Sequence, residues 1–366
     1  MSKRLAVVGR RYEGISRYSA LLLAVLCVTA AAGVVSTASA QVRAAGAGSW
    51  EVPRTPDGHP DLQGNWTNVT LTPFQRVEGR GPFFTKEEVD EIERPDGDCP
   101  ASPGTVACGR TQRPGSTNEA RLSGQEYSEV YWDRGSRVAI VDGEYVTSLI
   151  TNPADGRRPP LTREGERRLQ EYEDFRDQFE QYDHPELRPL AERCIVSFGS
   201  SAGPPMIPNT AYNNNYTIVQ TADYVMIKAE MVHDVRIIRL GAPDRLPANV
   251  NPWFGDSWGR WEGDVLVVET TNINPTHRFQ GIAPTAALRV TERFSRVDEE
   301  TFLYEFTVDD PTTYTEPWGG VIPYKRFHDK LFEYACHEGN YSLASVLSGA
   351  RYEERMEAEE SSDARR

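Results

Sequence analysis

Leu288-Arg289-Val290-Thr291-Glu292-Arg293-Phe294-Ser295-Arg296-Val297, then Asp298-Glu299-Glu300, then Thr301-Phe302-Leu303-Tyr304-Glu305-Phe306-Thr307-Val308 reads as a strand, a polar turn and a second strand. In the second run the even positions are aromatic or apolar and the odd ones mostly polar, the period of two of a pleated strand with one buried face. In the first run Val290, Glu292 and Phe294 share a face, so a carboxylate stands in line with apolar neighbours.

Working outward, Thr217–Gln220, Tyr224–Met231, Val235–Leu240, Val265–Thr271 and Leu331–Cys336 are also rich in β-branched and aromatic residues, with Glu262-Gly263-Asp264 as a further hairpin turn. Val265, Val267 and Glu269 share a face, and Met231, His233 and Val235 align if that strand has no bulge. Seven or eight short strands in succession, with local turns and no helices between them, predict an antiparallel meander. A meander hides its edges best by closing into a barrel.

The N-terminal half has a different character. Residues 41–82 are rich in Gly, Pro and Thr and predict an extended wrap, and Thr85-Lys86-Glu87-Glu88 opens a short helix with a capping box. Residues 95–120, with Cys99 and Cys108, predict a loop. Arg137 to Ile150 predicts a hairpin turning at Asp142-Gly143, where positive φ is tolerated. Thr162 to about Tyr182 predicts a charged helix whose Leu169, Tyr172, Phe175 and Phe179 form one face that docks on the body. The organisation is therefore residues 1–40 as an export signal, 41–205 as wrap, hairpin and helical segment, 206–350 as the barrel-like domain, and 351–366 as a charged tail.

The export signal rests on a basic start (Lys3, Arg4, Arg10, Arg11, Arg17), an apolar stretch from Ser19 to Val35, and Ala38-Ser39-Ala40 before Gln41. The Arg10-Arg11 pair admits the twin-arginine route beside the general one. The exported form has 326 residues, and losing five positive and one negative charge moves the net charge from −14 to −18. Such acidity, with a mean hydropathy of −0.55, argues against nucleic-acid or anionic-membrane partners. No second apolar run reaches the length of a spanning helix. A periplasmic or secreted location suits disulfides among Cys99, Cys108, Cys194 and Cys336; 99–108 with 194–336 is one of three connectivities.

The chemistry is carried by a few side chains. Glu230-Met231-Val232-His233-Asp234-Val235-Arg236 gathers acid, imidazole and guanidinium in one place. Glu230, His233 and Glu292 are candidate proton carriers, and Arg236 either holds an oxyanion or staples a carboxylate on another strand. Tyr212, Asn214, Asp256 and His337 are candidate ligand contacts, with Trp253 and Trp318 as walls. Gly255-Asp256-Ser257-Trp258-Gly259, with Asp310 and His337 downstream, has the residue order of a serine hydrolase. The six histidines show no paired ligand spacing and no strand leads into a Gly-rich phosphate loop, so neither metal nor cofactor is expected.

Three longer stretches carry a resemblance. Thr55-Pro56-Asp57-Gly58-His59-Pro60-Asp61-Leu62-Gln63-Gly64-Asn65-Trp66, Gly255-Asp256-Ser257-Trp258-Gly259-Arg260-Trp261-Glu262-Gly263-Asp264 running into Val265–Thr271, and Tyr334-Ala335-Cys336-His337-Glu338-Gly339-Asn340-Tyr341 resemble a family of exported bacterial proteins of uncharacterised activity. Gly64-Asn65-Trp66 is also similar to the G-x-W opening of lipocalin-like barrels. The fold class expected is therefore mainly β, a lipocalin-like barrel with an N-terminal wrap and a few helices. The expected function is binding of a small apolar or amphipathic molecule, with cofactor-free lyase or isomerase chemistry through Glu230, His233, Arg236 and Glu292. The alternatives are a non-catalytic binding protein and a hydrolase using Ser257.

Overall fold

A computed structural model describes residues 50–94, 133, 135–209, 212–232, 234–241, 244–279 and 281–365. The export signal, Cys99, Cys108 and His233 lie outside the described residues. The chain is mainly β, with twelve described strands and three α-helices.

Nine strands close a barrel: β1 (Gly64–Thr67), β5 (Asn215–Gln220), β6 (Tyr224–Ala229), β7 (Val235–Leu240), β8 (Asp256–Glu262), β9 (Val265–Thr271), β10 (Arg289–Arg296), β11 (Thr301–Asp309) and β12 (Trp318–Arg326). From β5 onward each strand lies beside the next in sequence, as the alternation predicts. Closure comes from β1, which pairs Trp66 with Tyr216 of β5 on one side and with Arg326 of β12 on the other. The barrel thus takes a strand from the wrap, beyond the expected 206–350 block. One pair departs from the antiparallel expectation: β7 and β8 run parallel, with Ile238 opposite Ser257 and Leu240 opposite Gly259.

Two short strands, β2 (Ile140–Val141) and β3 (Glu144–Tyr145), form the expected hairpin, with Asp142 and Gly143 at φ 53° and 84°. After it, β4 (Ile150–Asn152) adds to β12 where β1 does not reach. Helix α1 (Lys86–Ile92) carries the full capping box of Thr85 and Glu88 and buries Val89 and Ile92 against Phe84 and Val138. Helix α2 (Arg163–Arg176) is capped by Thr162. Helix α3 (Ser342–Asp363) covers most of the expected charged tail and buries no residue.

The last barrel strand is not where the residue types place it. Leu331–Cys336 forms no strand, and β12 is instead Trp318-Gly319-Gly320-Val321-Ile322-Pro323-Tyr324-Lys325-Arg326. The glycines and the proline disguise it, yet both glycines are required by close approach. A Cβ on Gly319 would stand 2.0 Å from the Phe306 carbonyl oxygen, and one on Gly320 2.1 Å from that of Leu149. The inner face presents Ile218, Val225, Leu266, Phe294, Phe302 and Tyr324 as one apolar core. On β7 the usual order is inverted: Val235 and Ile237 face outward and Arg236 is buried.

Gly320→Ala is expected to destabilise the protein by about 3 kcal/mol or more, since backbone rather than a mobile side chain must yield. Gly349→Ala, in α3 with open space around it, is expected to be neutral or stabilising by up to about 1 kcal/mol. Denaturation midpoints of the two variants provide the comparison, and equal midpoints would contradict the register of β4 on β12.

Candidate functional site

An eight-stranded barrel is about filled by its own side chains. Here a ninth strand widens the barrel, and the segment Ser197–Asn209 fills it. Residues 200–207 of this segment are buried, Ala202 and Met206 completely. Buried backbone must find partners, and tyrosine hydroxyls from the barrel wall provide them. The Met206 N–H donates to Tyr304 Oη (2.9 Å) and its carbonyl accepts from Tyr324 Oη (3.1 Å), while Tyr216 Oη donates to the Ser201 carbonyl (3.3 Å). Burial raises the pKa of all three phenols, that of Tyr216 to about 12, so they remain neutral donors.

Beneath this plug lies a buried ion pair. Both terminal nitrogens of Arg236 reach Glu292, at 2.9 and 2.8 Å, across the barrel interior, and Tyr304 Oη donates to the same carboxylate at 2.7 Å. Two of the four residues expected to carry catalysis therefore form a staple through both terminal nitrogens of Arg236, while its buried Nε has no hydrogen-bond partner among the described residues. Glu230 is elsewhere. It accepts from Asn215 Nδ2 (3.1 Å) and lines a surface cleft of about 280 Å³ with Lys228, Glu333, His337 and Glu338. Half-burial raises its pKa, and the Asn215 bond offsets part of that. The proposed strand run through His233 is interrupted, because Val232 adopts a φ of 64° and the Ala229 N–H closes a turn onto the Asp234 carbonyl.

The other expected contacts divide between scaffold and surface. Asn214 clamps the plug by exchanging hydrogen bonds with the Asn209 backbone (2.7 and 3.2 Å). Asp256 is buried and accepts from Arg239 and from the Leu246 N–H. Trp318 packs in the core between Phe74, Phe279, Phe306 and Tyr314, and Tyr212 is at the surface. Ser257 lies inside β8 with its hydroxyl bonded to Thr270 (2.8 Å), and Asp310 receives the hydroxyls of Thr285 and Thr313. No strand-to-helix elbow exposes Ser257. Glu269 points to the outer face, where Arg245 and Arg289 pair with it. Among the described residues no group of three or more His, Cys, Asp or Glu is placed to hold a metal ion.

Trp253 alone of the expected walls lines a large concavity, an open groove of about 1060 Å³ at the barrel mouth. The aromatic face of α2, expected to dock on the body, forms one side of it: Phe175 and the following Phe179 stay 51% and 42% exposed and meet edge to face at 5.3 Å. Phe198, at the start of the plug, is another exposed ring. Four arginines (Arg176, Arg188, Arg193, Arg278) line the groove against two acids, Asp183 and Glu186. Arg188 is held by Glu192. Arg278 lies 3.3 Å over the Tyr172 ring, and burial lowers its pKa, a cost that a bound anion would relieve.

Where the groove meets the plug, a recess of about 40 Å³ opens beside Pro204, Pro205, Phe279, Leu288 and Val308. His277 lines both spaces. Its Nδ1 is 2.8 Å from the Trp253 carbonyl, which can only accept, so Nδ1 carries the proton. Phe254 packs against the ring at 5.4 Å. Burial lowers the imidazole pKa, with the Trp253 carbonyl and then Asp234 acting in the opposite sense. His277, Arg278 and the exposed phenylalanines escape a reading of periodicity because the loop from Asn272 to Phe279 has none, and three-to-four spacing on a helix is the same for a core face and a binding face.

If Arg236 and Glu292 form a structural pair, Arg236→Met alone is expected to cost about 3–5 kcal/mol, because it strands a buried carboxylate. Arg236→Met with Glu292→Gln, which keeps an acceptor for Tyr304, is expected to recover most of that loss. Denaturation midpoints of the single and double variants check this; a double variant no better than the single one contradicts it.

Compared with protein-family models, with curated proteins and with solved structures, the chain finds no match.

Proposed function

We propose that the chain is an exported barrel protein that binds a small amphipathic organic anion in the groove at the barrel mouth. The barrel interior offers such a molecule little space, being filled by aromatic rings, the plug and the Arg236–Glu292 pair. The observation that carries the reading is the uncovered aromatic face of α2 beside arginines, on a chain whose net charge is −14. A fully covered phenylalanine ring is worth about 1.5–3 kcal/mol, so two rings left half in water favour an occupant with an apolar body. A positive lining on an acidic protein selects a negatively charged end. Contiguous exposed apolar surface with a few charged groups at its margin is the usual form of a ligand groove.

Export belongs to the same reading. It is supported by the basic start, the apolar stretch and the small residues before Gln41, by the likeness of the three motifs to exported bacterial proteins, and by the Cys194–Cys336 disulfide, a bond suited to an oxidising compartment. The mature protein is expected to begin at Gln41 when its N-terminus is sequenced from the periplasmic or secreted fraction. A chain retaining residues 1–40 in the cytosol would overturn the export claim.

The binding claim is tested with 8-anilinonaphthalene-1-sulfonate, an aromatic anion that reports its own burial by fluorescence. Phe175→Ser with Phe179→Ser is expected to weaken binding about tenfold or more, equivalent to about 1.4 kcal/mol. Arg193→Gln is expected to weaken it by a smaller factor, and Ile237→Thr on the outer barrel face to leave it unchanged. Equal affinity in all four proteins would remove the groove as the site.

A further inference from the structure

We propose that His277 is the general base of a proton-transfer site where the groove meets the recess, acting on the enolisable carbon of a keto acid. This rests on the reading of the groove as an anion-binding site and adds a reaction and a substrate class to it. Four observations converge. The ring is oriented from both sides, by the Trp253 carbonyl and by Phe254. The carbonyl bond fixes the tautomer and leaves Nε2 as the basic nitrogen. Among the described residues Nε2 has no hydrogen-bond partner. The residue lines both the open groove, where a carboxylate meets arginine, and the apolar recess, which has room for the end of a side chain.

The other polar side chains of the recess are occupied. Ser200 Oγ donates to the Ile207 carbonyl (2.7 Å) and accepts from the Ile207 N–H (3.1 Å), and Asp310 is taken up by threonine hydroxyls. A nucleophilic serine is therefore not what the imidazole serves. Burial keeps the imidazole neutral near pH 7, the form that accepts a proton. In the step assigned here the C–H bond next to the keto carbonyl breaks, its proton forms an N–H bond at Nε2, and its electron pair moves to the carbonyl oxygen as an enolate. Arg278, in the same groove, supplies the positive charge that such an oxygen or the neighbouring carboxylate needs. Return of the proton from the imidazolium to carbon restores neutral His277, so no oxidant, reductant or second substrate is consumed.

The probe is phenylpyruvate, an aromatic keto acid whose C3 hydrogens exchange with solvent through its enol. Binding is measured by tryptophan fluorescence, and exchange by loss of the C3 proton signal in deuterium oxide. The wild-type full chain is expected to accelerate exchange over buffer, and His277→Asn, whose amide can still donate to the Trp253 carbonyl, to reduce that acceleration about 100-fold, within the usual range for a general base. Its affinity for phenylpyruvate and its circular dichroism are expected to stay close to wild type. The wild-type rate is expected to fall as pH drops below the ordinary histidine value of about 6.5, through the lowered pKa that burial imposes against the opposing pull of the Trp253 carbonyl and Asp234; Arg278 lines the same groove and Asp310 the same recess. Binding with exchange no faster than buffer, or undiminished exchange in His277→Asn, overturns the assignment and leaves the groove as a binding site. Failure of the wild type to bind phenylpyruvate overturns both.

Discussion

The backbone of Met206, its N–H and its carbonyl held by the hydroxyls of Tyr304 and Tyr324, decides what kind of barrel this is. A nine-stranded barrel whose interior held only side chains would leave space at its axis, and empty apolar space forfeits dispersion contacts on every side. The chain fills that space with its own backbone, and three phenols meet polar groups it carries inward, two of them in turn accepting from Asn68 Nδ2. One of these phenols, Tyr304, also donates to Glu292, which in turn holds Arg236. Aromatic packing, plug and ion pair therefore form one connected unit. Loss of any one leaves a buried polar group of another without a partner, at a cost of about 1–3 kcal/mol or more.

Filling the barrel displaces the binding surface. The concavity that remains lies outside the mouth, among segments that are not part of the sheet: α2, the stretch from Gln181 to Gly199, and the loop carrying Trp253 and His277. The plug joins the two regions, since its first residues, Ser197 to Gly199, line the groove and its later ones, Gly203 to Pro205, line the recess. A rigid floor beneath an aromatic groove favours discrimination by shape, because bonds to Tyr304 and Tyr324 restrain the plug from yielding to a misfitting ligand.

The strands from Thr217 to Leu240 and from Val265 to Val308 were legible in the residues because alternation with one buried face leaves a clear period, whereas β8, with Asp256, Ser257, Gly259 and Arg260 among its seven residues, was not read as a strand. Closure was less legible. Strand β1 has four residues, and β12 contains two glycines and a proline that serve the packing of backbones, a demand that appears only once Phe306 and Leu149 are in place. Glu292 was correctly placed among apolar neighbours, but its partner sits on β7, three strands away in the sheet, where Val235 and Ile237 face water and the arginine faces in. The three long motif stretches turn out to build structure: Trp66 is buried in the core, Asp256 anchors the β7–β8 connection, and Cys336 is in a disulfide.

That disulfide also explains why a helix that buries nothing belongs to the site. Three links join the stretch behind the groove to the C-terminal arm: Cys194 to Cys336, Asn340 Nδ2 to the Glu192 carbonyl (3.0 Å), and Arg351 to the carbonyls of Tyr182 and Asp183 (3.1 Å each). The stretch has little secondary structure of its own, only a single turn at Pro185–Leu187, so its shape depends on such ties. A crosslink spanning 142 residues removes about 5 kcal/mol of unfolded-chain entropy in the loop-closure model. It acts on the segment least able to hold itself. The groove is thus a rigid plug on one side and a tethered wall on the other, which is how a site outside the sheet can keep a fixed geometry.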